Sequence, residues 1–163
     1  MRTVTSCGVL VLRDGPAPAF LVLRLYRVHD LPKGRCEAGE TELTTALREL
    51  GEETAIAPHD IALIPNLRFT TVYEVRSSEG PVCKTLVVLP AVLLRDVPIR
   101  LTEHHAHIWW PWAQRATMPG RIVPAILAQA AQALGEPPWQ RGGVTTISVP
   151  GCGTLPAAVR TNV

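Results

Sequence analysis

The chain of 163 residues predicts an α/β fold, a β-sheet sandwiched between helices. Three observations carry this. Short β-branched and apolar runs recur along the chain, as half-buried or buried strands require. Two longer runs space their apolar residues as helices do. The strands and helices are interspersed, and two helices on opposite sides of one sheet make an α/β/α sandwich.

The elements follow in order. Residues 4–12 are apolar and β-branched and read as a strand. Asp14-Gly15-Pro16 is a turn, and residues 20–25 (FLVLRL) form a second strand. Residues 28–38 are expected to be a loop leading into the first helix. Pro58-His59-Asp60 closes the helical region. Residues 61–64 and 67–75 read as strands broken near Pro65-Asn66. The turn SSEGP at 77–81 joins 69–75 to 83–94 as a hairpin. Residues 108–110 are expected to be a short strand, and 111–116 a short helix. Ile122–Leu134 is a second helix, with Pro124 tolerated in its first turn.

The first helix carries the chemistry. Thr41 is its expected N-cap. Leu43, Ala46, Leu47 and Leu50 form an apolar stripe at core-facing spacing. With about 3.6 residues per turn, Glu49, Glu52 and Glu53 share another face, preceded by Arg48. Like charges one turn apart destabilise a helix by roughly 0.2–0.5 kcal/mol. A divalent cation removes that penalty, and Mg²⁺ takes oxygen ligands of this kind. On the glutamates alone, a solvated acidic face with no role is the simpler reading.

Composition sets the frame. The chain is 47% hydrophobic and 18% charged, enough apolar content for one domain with a core. A net charge of +2 does not argue for a nucleic-acid or membrane partner. No apolar run is long enough to span a bilayer, and no signal-peptide pattern follows Met1, so the expected location is cytoplasmic. Cys7, Cys36, Cys83 and Cys152 lack paired metal spacing and read as reduced thiols. Lys33 and Lys84 stand out in a chain that otherwise uses arginine. From Gly135 the composition turns to Gly and Pro. Residues 1–134 are therefore expected to form the domain. Residues 135–163 are expected to form a tail on its surface or against a neighbouring subunit, as in a homodimer.

The spacing of Gly34, Glu40, Arg48-Glu49-Leu50, Glu52-Glu53, Ala55 and Ile56 resembles the Nudix box of nucleoside-diphosphate-linked hydrolases. The family usually has glycine at Ala55, where a left-handed helix end would strain alanine. The resemblance implies a mixed sheet between helices and covers roughly residues 3–134. Further elements resemble the branch that splits diadenosine tetraphosphate asymmetrically. They are Cys7-Gly8-Val9, Leu31-Pro32-Lys33-Gly34, Tyr73, Lys84-Thr85, and Arg100-Leu101-Thr102 followed by a histidine-rich loop and Trp109-Trp110.

What the resemblance implies is specific. Glu49, Glu52 and Glu53, with the Gly34 carbonyl, would hold Mg²⁺, or Mn²⁺ in its place. Glu53 is the candidate base, with Glu52 and Arg48 beside it in the catalytic set and Glu40 paired to Arg48. Lys33 and Lys84 would approach phosphates, and Tyr73 would face a base. His29 stands where an aromatic residue is usual. A loop glutamate adds a further metal ligand in that branch. Counted from Trp109 it is Glu103, at the cost of one deletion near Thr102; counted back from Trp110 without gaps the position holds His104. The Glu103 register is preferred. Three loop histidines alternatively suit a softer metal such as Zn²⁺. The expected reaction is hydrolysis of diadenosine tetraphosphate to ATP and AMP. The alternatives are another Nudix pyrophosphatase, acting on a nucleoside triphosphate, ADP-ribose or a capped RNA end, or a non-catalytic nucleotide sensor.

Overall fold

The structure is a computed structural model that describes residues 1–139 and the backbone of residues 147–148. Most of the tail from Gly135 onward, including Cys152, lies outside the described residues. The strands are β1 (Arg2–Arg13), β2 (Ala19–Leu25), β3 (Val28–Asp30), β4 (Lys33–Arg35), β5 (Ile61–Leu63), β6 (Phe69–Ser77), β7 (Gly80–Leu93), β8 (Ala106–Pro111) and β9 (Ile147–Ser148). The helices are α1 (Glu42–Thr54) and α2 (Ile122–Leu134), with 3-10 turns at Pro58–Asp60 and Trp112–Thr117.

The sheet is mixed and built on β1 and β7. These two run parallel, residues 2–12 beside residues 82–92. β7 also pairs antiparallel with β6 along its first half and with β5 at its far end. The other edge of β1 takes β4 near Ser6–Gly8 and β2 near Leu12. β2 in turn carries β3 and β8.

The two central strands are buried on both faces, as strands covered from both sides must be. In β1, Leu10 and Leu12 join the cluster under α2, whereas Cys7, Val9 and Val11 join the one under α1. β2 alternates likewise, Phe20 and Val22 on one side, Leu21 and Leu23 on the other. α1 buries Ala46, Leu47 and Leu50, with Leu43 packed at the margin, as its stripe predicts. Burying Leu50 fully contributes about 1.5–3 kcal/mol. The α/β/α sandwich expected from the sequence is the observed fold. No helix among the described residues is long and apolar enough to cross a membrane.

Two local readings change. Residues 28–38 are not all loop: β3 and β4 form within them. Pairing to β1, not apolar alternation, makes β4 a strand, because Gly8 leaves space for it. A Cβ on Gly8 would sit 2.2 Å from the Pro32 carbonyl oxygen and 2.6 Å from Lys33 Cβ. The short helix at 111–116 is a 3-10 turn, Trp112–Thr117. Past α2 the chain sets Trp139 into the core, edge-on to Trp112 with ring centres 5.1 Å apart.

Cys7, Cys36 and Cys83 are free thiols, and the sulfurs of Cys7 and Cys36 lie 3.1 Å apart. Burial pushes the Cys7 thiol well above the usual range.

Candidate active site

α1 is delimited by its caps. Thr41 accepts from the Thr44 amide, and Ala55 closes the helix in the left-handed region at φ 63°. The Ala55 N–H donates to the Gly51 carbonyl at 2.9 Å. The helix thus ends at Thr54, one residue past Glu53. Glu52 and Glu53 occupy the last turn, which holds no basic residue. That is the negative end of the helix macrodipole, where each carboxylate is disfavoured by about 0.3–1 kcal/mol.

Arg48 offsets part of this charge. Its Nε donates to Glu40 at 2.7 Å, its Nη1 to Glu49 at 2.7 Å and Glu52 at 3.1 Å, and its Nη2 to the Arg35 carbonyl at 3.0 Å. Glu40 also accepts from the Thr45 hydroxyl and the Glu37 amide. The Arg48 hydrogen bonds hold the Glu40 carboxyl down at about 2. One guanidinium therefore ties α1 to the loop before it.

Gly34 belongs to the same arrangement. The Glu49 carboxylate packs where a Gly34 Cβ would stand, 1.9 Å from Cδ. Only glycine lets the carboxylate reach this backbone.

Glu53 is set deeper than Glu52, its side chain 13% exposed against 59%. Its Oε2 accepts from the Lys33 amide at 2.9 Å. Burial raises the carboxyl to about 7, against the pull of the Lys33 amide and ammonium, with Glu49 and Asp30 adding to the rise. Its other oxygen lies 3.8 Å from Nδ1 of His104. Burial holds the His104 imidazole below its usual range. Glu103 is exposed. Beside Glu53 the structure places His104, the residue of the gapless register.

The loop histidines diverge: His105 tilts against Tyr26 and His107 is exposed. Among the described residues no group of three His, Cys, Asp or Glu side chains forms a ready metal cluster.

Three further candidate residues share the α2 face of the sheet. Tyr73 of β6 and Lys84 of β7 are direct cross-strand partners and so share a face. Lys33 stands opposite Gly8 on the same face by alternation. Its ammonium pairs with Asp30. Burial works to lower the Lys33 pKa, but Asp30 prevails and raises it. Burial also raises the Tyr73 phenol, with Lys33 and Asp30 as its charged neighbours. His29 meets Trp110 edge-on, ring centres 5.8 Å apart. Asp30 had no signal in the sequence, since its role comes only from the turn between β3 and β4.

The donors Glu49, Glu52 and Glu53 suit a divalent cation by chemistry: carboxylate oxygens on one helix face beside backbone. Such a cation would replace Arg48 as counter-charge to Glu49 and Glu52, leaving Arg48 its bonds to Glu40 and Arg35. The helix, its three glutamates and the bare Gly34 backbone are the arrangement that the Nudix-box spacing implies. The family model for the NUDIX domain matches residues 2–126, and the chain belongs to the Nudix family.

Among its relatives is the asymmetrical bis(5'-nucleosyl)-tetraphosphatase of Sus scrofa, 35% identical over 116 residues, covering 64% of this chain and 76% of the relative. A C. elegans Ap4A hydrolase, solved as a binary complex, superposes with TM-score 0.68 at 21% identity, over 80% of this chain and 97% of that one. The NUDIX domain of Shewanella oneidensis NrtR, solved with ADP ribose, gives TM-score 0.59 at 18% identity, over 82% of this chain and 90% of that one. At these identities the two structures speak for the fold alone. Nudix hydrolases act on small nucleotide substrates and generally use divalent metals.

Proposed function

We propose that the chain hydrolyses a dinucleoside polyphosphate, diadenosine tetraphosphate to ATP and AMP, with Mg²⁺ or Mn²⁺ held by Glu49, Glu52 and Glu53. The observation that carries this is the set of three carboxylates on the last two turns of α1, one of them laid on Gly34. The resemblance to asymmetrical tetraphosphatases supports the substrate class.

When bound, a divalent cation supplies positive charge to the phosphate oxygens and makes the attacking water more acidic. Water attacks phosphorus, one P–O anhydride bond breaks, and the departing phosphate oxygen keeps the electron pair. Glu53 takes the water proton. Arg48, through Glu40 and the Arg35 carbonyl, fixes the helix against the loop before it. Lys33 and Lys84 face the polyphosphate as point charges, and Tyr73 stacks on one base.

The test is a substrate panel with Mg²⁺, products resolved by chromatography. Diadenosine tetraphosphate should give ATP and AMP faster than nucleoside triphosphates, ADP-ribose or capped RNA are cleaved. A faster rate on any of those three would replace the substrate assignment. Binding of nucleotide with no turnover would point to a sensor.

A further inference from the structure

We infer that His104 completes the cation site of this chain with an imidazole nitrogen, so that the site is mixed nitrogen and oxygen. The inference rests on the reading of Glu53 as a metal ligand.

The His104 side chain is 10% exposed, and its Nδ1 is buried with no hydrogen-bond partner. A buried polar atom left unpaired costs about 1–3 kcal/mol. Its nearest acidic neighbour, Glu53 Oε1 at 3.8 Å, is too far for a hydrogen bond. Two donors of one octahedral ion are about 3 Å apart in adjacent positions and about 4 Å in opposite ones. The observed separation falls between these, so one ion can join both atoms after small side-chain rotations.

The loop is pinned on either side of this residue. The Thr102 hydroxyl donates to the Glu52 carbonyl at 3.2 Å, and the Arg100 amide to the Thr54 carbonyl at 2.9 Å. The His105 amide donates to the Arg24 carbonyl at 2.9 Å. His104 is thus fixed between the end of α1 and β2. A neutral imidazole offers one lone pair, and Nδ1 is the atom placed to use it. A nitrogen ligand shifts preference from Mg²⁺ toward Mn²⁺ and Co²⁺.

The experiment loads the full chain with Mn²⁺ and records electron spin-echo envelope modulation. The wild type should show nitrogen-14 modulation from a bound imidazole. His104→Gln and His104→Glu should keep Mn²⁺ and lose the modulation. Co²⁺ affinity should fall about tenfold in His104→Gln, with a smaller change for Mg²⁺. Absence of Mn²⁺ binding, or binding that Glu53→Gln leaves unchanged, overturns the cation site and this inference with it. Mn²⁺ binding that depends on Glu53 yet lacks nitrogen modulation, or retains it in both His104 variants, overturns the role of His104 alone.

Discussion

Glu49 lays its carboxylate on the backbone of Gly34, so closely that a β-carbon there would lie 2.0 Å from Oε1. Gly34→Ala should displace the carboxylate or the strand. We expect a loss of about 1–3 kcal/mol in urea unfolding. Hydrolysis should fall about 10–100-fold, with weaker Mg²⁺ dependence. An active Gly34→Ala protein with unchanged metal titration would show that this contact is only packing.

Glu53→Gln should lower the rate about 100-fold or more at saturating Mg²⁺. The same residue sets a pH dependence in the metal-free protein. Its folded pKa of about 7 lies above the ordinary 4.5. Between those values the folded state holds a proton that the unfolded chain has released, so stability falls as pH rises through this window. The urea midpoint, followed from pH 4 to 8, should decline less steeply in Glu53→Gln.

Glu40 acts in the opposite sense. Held at about 2 by Arg48, it contributes stability that is present above 4.5 and lost as pH falls toward 2. Glu40→Gln should flatten the acid limb of the unfolding curve. If that limb keeps its slope, the Arg48 bond to Glu40 does not operate in solution.

Tyr73 and Lys33 should separate recognition of base from recognition of phosphate. Tyr73→Ala should reorder the KM values among adenine, guanine and pyrimidine dinucleotides, by up to about 1–3 kcal/mol for a stacked base. Lys33→Ala should weaken all of them alike. A uniform loss in Tyr73→Ala would take this residue out of the base site.

Ala55→Gly addresses the helix end. Alanine at φ 63° bears a left-handed penalty of about 1–2 kcal/mol that glycine does not. Thermal unfolding should move upward by a few degrees, since about 1 kcal/mol is worth roughly 2–4 °C in a chain of this length. Hydrolysis should be unaffected.

Much of the site was legible because α1 obeys one period. The stripe Ala46, Leu47 and Leu50 and the face Glu49, Glu52 and Glu53 both follow from helical spacing, and Thr41 is the observed cap. β4 was not legible. Lys33-Gly34-Arg35 has no apolar alternation, and its strand character comes from a bare Gly8 on another part of the chain. Spacing also left Glu103 and His104 as rivals, since one deletion in a loop moves every later residue by one. Only the anchoring of that loop to Glu52 and Arg24 shows which of the two side chains lies against Glu53.

Arg48 spreads one guanidinium over Glu40, Glu49 and Glu52. The acidic turn therefore carries a resident positive charge at all times. An ion leaving it would not abandon naked repulsion, and an ion arriving would trade places with part of an existing pairing. On the proposed reading, the helix would keep a paired acidic face with or without an ion, and loss of a metal would not by itself leave that face unbalanced.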